Sequence, residues 1–181
     1  MESIETFTHN DLTIEIYQDD YLENPREWDN LGTMVCFHNR YELGDDHDFT
    51  PESLQEYLEE NADKLFYLPI YAYEHGGITI KTTPFHCPWD SGKVGYIYIT
   101  RDKTEENGIK DPYELLRHEV KTFDHYCVGN SYGYLIRDNE GEYLESCGGF
   151  LGEVSFCKEE AISMANYLDR TLPKQFQFTF A

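Results

Sequence analysis

Basic residues are scarce in this chain of 181 residues: fourteen Lys and Arg stand against thirty-five Asp and Glu, a formal charge of −21. Such a field repels nucleic-acid backbones and acidic membrane surfaces and attracts basic protein surfaces. Direct DNA or RNA binding would need a local basic patch. The nearest grouping, Arg101 to Lys103, runs at once into Glu105 and Glu106. Long apolar runs are missing as well, and nothing nears the ~18 residues of a membrane span. The first residues, MESIETFTHNDL, are too acidic and polar for a secretory signal, so a cytoplasmic protein is expected. Cysteine is present without pattern. Cys36, Cys87, Cys127, Cys147 and Cys157 are odd in number and show no CxxC spacing, which favours reduced thiols over a disulfide framework. No P-loop, dinucleotide fingerprint, GxSxG, HExxH or EF-hand spacing occurs, and no cofactor is expected.

What remains is ample for a core: 40% hydrophobic and 15% aromatic residues, with fifteen tyrosines. The length suits one domain over 1–181. Residues 11–17 (DLTIEIY) alternate as a half-buried strand with Leu12, Ile14 and Ile16 inward. Residues 33–39 form a second strand, placing Met34, Cys36 and His38 on one face and Val35 and Phe37 on the other. Thr50-Pro51-Glu52-Ser53 opens a helix with Thr50 as N-cap and Pro51 at N1, Ser53 leaving the capping box incomplete. Leu54, Tyr57, Leu58 and Leu65 make its inner stripe. Residues 66–73 (FYLPIYAY) read as a covered strand in which Pro69 demands an edge or a bulge.

Residues 78–100 organise the chain. Two β-rich runs, 78–82 and 94–100, flank a loop that carries His86, Cys87, Trp89, Asp90 and Ser91. In the second run Val94, Tyr96 and Tyr98 share one face and Ile97 and Ile99 the other, the pattern of a central strand covered on both sides. Trp89 is expected to pack down onto the domain over Cys87. A polar loop over 102–110 precedes a helix over 111–127, capped by Asp111 with Glu114 completing a capping box. A hairpin across Asp138 to Gly141, a helix over 158–172 and an alternating strand at 175–180 (QFQFTF) follow. The order predicts an α+β fold: one mostly antiparallel mixed sheet with about three helices packed on it.

Three sets of residues could carry function. Glu52, Glu56, Glu59, Glu60 and Asp63 fall on one helical face, the most acidic surface the spacing allows. Cys87 is the best-placed nucleophile, with Asp90 close and His75 or His38 a base the fold could supply, since the adjacent His86 points away from it. Cys36, His38, His86 and Cys87 are the weaker set, a zinc site without a recognisable spacing.

Two stretches carry a resemblance: residues 23–45, ENPREWDNLGTMVCFHNRYELGD, and 84–100, PFHCPWDSGKVGYIYIT. With LPIYAYEHGGITI before the second and a weaker echo in EVKTFDHYCVGNSYG, they resemble an uncharacterised family of small proteins from bacteriophages, prophages and their bacterial hosts. The resemblance implies an accessory protein on mobile elements. Such proteins often inhibit host defence, restriction or CRISPR effectors included, and some imitate nucleic acid by their acidity. The expected function is therefore an inhibitor that binds a basic, nucleic-acid-handling host protein, with no direct nucleic acid, membrane or metal partner. The alternative is a cysteine-dependent hydrolase or transferase centred on Cys87. The oligomeric state is open.

Overall fold

Strand alternation says which side chains share a face but not which strand lies beside which, and pairing is where the chain departs from a single sheet. The computed structural model describes residues 3–171; the strand expected at 175–180 lies outside them. The fold is α+β, with two four-stranded sheets, each antiparallel throughout. The described residues divide into two compact units, 3–22 with 130–171, and 23–129. The second unit is inserted in sequence between two strands that pair with each other.

In the first unit β1 (Ser3–His9), β2 (Leu12–Gln18), β7 (Ser131–Arg137) and β8 (Tyr143–Leu151) lie in the order β1-β2-β7-β8. β1 was not expected from its polar composition. It joins β2 through Asn10 and Asp11, both at positive φ (51° and 60°), the two-residue turn that matches the twist of paired strands. Ile14, Ile16, Tyr134 and Ile136 bury one face against Cys157, Ala161 and Ala165 of α4 (Val154–Thr171). Small residues let this helix sit close. Gly148 and Gly149, residues that weaken a strand, do not end β8. They form a bulge within it instead, with Gly149 at φ 79° and its N–H donated to Asp19 Oδ2 at 2.8 Å.

The second unit orders its strands β3-β6-β4-β5: β3 (Thr33–Cys36), β4 (Leu65–Glu74), β5 (Ile78–Lys81) and β6 (Ser91–Thr100). β6 is an inner strand covered on both faces. On one, Met34, Ile70, Ile97 and Ile99 pack against Leu116, Val120 and Phe123 of α3 (Pro112–Cys127). On the other, Val35 and Leu65 meet Leu54 and Leu58 of α1 (Pro51–Glu60), ringed by half-buried Tyr57, Tyr67, Tyr96 and Tyr98. Leu65 thus belongs to β4 and not to the helix. Val94 also changes sides: the register slips between Ile70 and Tyr71, leaving Val94 as the extra residue of a bulge, and it packs with the Ile97 and Ile99 core.

Pro69 sits in β4 one residue before that bulge. β5 pairs only with Tyr71 to Glu74, so beside Pro69 the side of β4 away from β6 is free. The caps correct two expectations. Ser53 completes the box at Thr50, its Oγ accepting the Thr50 N–H at 2.9 Å. Asp111 accepts the Glu114 N–H, but the Glu114 carboxylate turns to Arg117. The polar stretch after β6 is not wholly a loop: Thr100 accepts the Lys103 N–H and starts the short helix α2 (Arg101–Glu106).

Candidate functional surface

α1 is held by apolar packing on one side and a capping box at its start, which leaves its outer face free of structural duty. Glu52, Glu56, Glu59 and Glu60 are all exposed on it. The helix ends at Glu60, so Asp63 lies just past it in the following turn, also exposed. The last turn holds no base, and Glu59 and Glu60 sit where the helix dipole is negative. Each carboxylate there is unfavourable by about 0.3–1 kcal/mol, and the spacing adds repulsion.

Bases elsewhere in the chain are drawn into internal contacts. Arg26 holds Asp45 and Glu119, Arg40 pairs with Glu74 and Arg117 with Glu114. Arg137 pairs with Glu15, and Lys158 with Glu5. Lys103 donates to the Leu31 carbonyl at 2.8 Å, and Arg101 to that of Asp63 at 2.7 Å. These bases are engaged there, while Lys64, exposed in the turn that follows α1, is the base nearest to that face in sequence.

The second place of interest is the end of the second sheet where β4 runs out and β6 begins. Cys87 Sγ lies 3.8 Å from Asp90 Oδ2, and His75 Nδ1 lies 3.7 Å from the same oxygen. The fold therefore brings Cys87, Asp90 and His75 together, but with the carboxylate between thiol and imidazole. A cysteine nucleophile needs the imidazole on the sulfur and the acid behind it. His75 is moreover 75% exposed at its side chain, on an open surface. What this arrangement does is fasten the loop to the end of β4.

Beside it His38 Nε2 lies 3.5 Å from Glu74, and its Nδ1 accepts the N–H groups of Arg40 and Tyr41. Cys36 is buried in the α3-side core, and burial first of all pushes its thiol up to about 12. It stays protonated at neutral pH. His86 is exposed. Cys36, His38, His86 and Cys87 thus do not assemble, and among the described residues no group of three or more His, Cys, Asp or Glu is placed to hold a metal ion.

The comparisons are silent. No protein-family model, no curated protein and no solved structure matches the chain.

Trp89 overturns its expectation. Its side chain is not folded over Cys87 but stands in solvent, 91% exposed. The loop needs no indole to hold it. Ser91 Oγ donates to the Cys87 carbonyl, the Glu74 N–H donates to the Asp90 carbonyl at 2.9 Å, and Phe85 packs on Tyr73. Sequence reasoning assigned the fastening to the largest side chain, whereas backbone bonds and a Phe supply it. Among the described residues no helix is long and apolar enough to cross a membrane.

Proposed function

We propose that the protein acts by binding: its acidic surface, with the outer face of α1 at the centre, docks onto the basic surface of a nucleic-acid-handling protein and blocks it. The carrying observation is the α1 face itself. Glu52, Glu56, Glu59 and Glu60 are exposed, and the last turn holds no base although Glu59 and Glu60 lie at the negative end of the dipole. A cationic partner relieves both the dipole clash and the mutual repulsion, so the surface favours association over isolation. The −21 field supports the same reading, since it steers basic surfaces toward the chain over a Debye length. The resemblance to phage and prophage proteins is in keeping with an inhibitor of host defence.

The test is affinity capture from a bacterial lysate at low salt, followed by competition between the protein and duplex DNA for whatever is captured. Recovery of a nucleic-acid-handling protein that loses DNA as this protein is added supports the reading. Recovery of none at low ionic strength removes it. Glu56→Gln, Glu59→Gln and Glu60→Gln together then test the face: unchanged affinity would move the contact away from α1.

A further inference from the structure

We infer that the loop over residues 82–90 is a contact element whose exposed indole, Trp89, receives an arginine guanidinium from a basic protein partner. This rests on the reading that the partner is basic, and it adds a residue and a chemistry that the acidic face alone does not require.

Three features meet in the loop. Its backbone is fixed from below by the Ser91, Glu74 and Phe85 contacts described above, so presenting Trp89 requires little further ordering on association. The indole is 91% exposed between exposed Pro88 and Asp90, and it contributes nothing to the core. A large aromatic on an ordered loop is the kind of side chain that dominates the energy of protein interfaces.

Charge then chooses the occupant. The −21 field selects cations and disfavours anionic lipid surfaces. Among cationic side chains, guanidinium stacks flat on an indole and forks onto a carboxylate, whereas an ammonium is a compact, strongly hydrated point charge. Trp89 offers the ring and Asp90, its neighbour, offers a carboxylate 43% exposed at its side chain. Rings of this fold do take cations of both kinds, Arg101 over Phe66 at 4.2 Å and Lys81 and Lys93 over Phe85 and Tyr96 at 4.1 and 4.7 Å, so the choice of guanidinium at Trp89 rests on the neighbouring carboxylate.

The experiment uses the full chain at low ionic strength with two defined probes, poly-L-arginine and poly-L-lysine of equal length. Wild type is expected to bind the arginine polymer about tenfold more tightly than the lysine polymer. Trp89→Ala and Trp89→Leu should both erase that preference while leaving lysine-polymer binding in place. A preference that survives in either variant, or is absent in wild type, overturns the inference; survival in Trp89→Leu alone would mean an apolar contact and not guanidinium stacking. Glu56→Gln, Glu59→Gln and Glu60→Gln together should weaken both polymers alike. If they do not, the α1 face fails while the role of Trp89 stands, so the two readings fall separately.

Discussion

Replacing Arg26 by Met should expose how much of the second unit depends on one buried cation. The Arg26 side chain is 4% exposed and that of Glu119 8%. The guanidinium donates from Nε to Asp45 Oδ1 at 2.7 Å, from Nη2 to Asp45 Oδ2 and the Gly32 carbonyl at 2.8 Å each, and from Nη1 to Glu119 Oε2 at 3.0 Å. Burial alone would lower the Arg26 pKa, yet it is raised, because the bonds and charges of Asp45 and Glu119 outweigh burial. Glu119 in turn accepts the N–H groups of Leu31 and Gly32 at 3.0 Å, and Asp45 that of Met34 at 2.8 Å. The triad thus ties the segment before β3, and β3 itself, to α3.

Arg26→Met keeps the length of the side chain but leaves two carboxylates without their cation. Asp45 retains access to water and Glu119 does not, so most of the penalty falls on Glu119. Breaking a buried pair this way costs about 3–5 kcal/mol. For a unit of this size that is a fall in Tm of roughly 10–20 °C. Both tryptophans, Trp28 and Trp89, lie in the second unit, so urea denaturation followed by tryptophan fluorescence reads that unit without assuming that both unfold together. Adding Glu119→Gln should recover a good part of the loss, because the amide oxygen still accepts from Leu31 and Gly32 while the charge is gone. A loss below about 1 kcal/mol for Arg26→Met, the worth of an exposed pair, would show the triad to be solvated and refute the reasoning. Failure of Glu119→Gln to rescue would place the cost in packing and not in charge.

Three other outcomes are expected. Trp89→Ala should melt within about 0.5 kcal/mol of wild type in the same urea assay, as changes at free surface positions do. Glu60→Lys should stabilise α1 by about 0.3–1 kcal/mol, read by urea denaturation, while weakening affinity for any basic partner. Stability should fall as pH rises above about 9, because burial pushes the Cys36 and Cys127 thiols up to about 12 and that of Cys157 up to about 11 in the fold. The unfolded chain then loses protons that the native chain keeps, at about 1.4 kcal/mol per pH unit for each thiol so affected. Cys36→Ala should flatten the alkaline limb of a Tm-against-pH curve, and an unchanged limb would exclude Cys36 as its source.

The faces of the strands were legible because alternation is a local property. Met34 and Cys36 do separate from Val35, and Ile97 and Ile99 from Tyr96 and Tyr98, each set in its own core. Helices with a proline at N1 and an oxygen at the N-cap were legible for the same reason. Partnership was not. β2 pairs with β7, more than a hundred residues later, and nothing in either strand says so. The bulge at Val94 escaped because its cause lies in β4 and just past β3: the slip opposite Ile70 and Tyr71, and the Phe37 N–H that donates to the Val94 carbonyl. At the candidate surface, spacing placed the four glutamates of α1 on one helix. It could not tell that Asp90 would stand between Cys87 and His75, because the chain reversal after β4 decides that geometry.

The acid excess has two parts, and the fold separates them. One part builds structure by accepting main-chain N–H groups: Glu119 from Leu31 and Gly32, Asp45 from Met34, Asp19 from Tyr21 and Gly149, and Asp138 from Glu140 and Glu142. Asp124 belongs here too. It takes the Ile80 N–H and the Thr79 hydroxyl at 2.7 Å each, occupying donors along the outer edge of β5. At the other edge of that sheet, Asp45 donates its own N–H to the Met34 carbonyl at 2.7 Å and Gly44 bridges to Val35, so β3 is covered as well. Covered edges oppose strand-to-strand association of the second unit. Along β5 and β3 a partner of that unit therefore meets side chains, and the unpaired stretch of β4 is the one that carries Pro69, which has no N–H to offer. The carboxylates left for a partner are those without structural work among the described residues, and Glu52, Glu56 and Glu60 on α1 are among them, while Glu59 takes the Gln55 amide beside it. Net charge alone cannot distinguish the two kinds of acid; the distinction comes from counting which carboxylates already hold an N–H, and it directs charge-reversal experiments to α1 and away from Asp45, Glu119 and Asp124, where loss of binding would only report loss of fold.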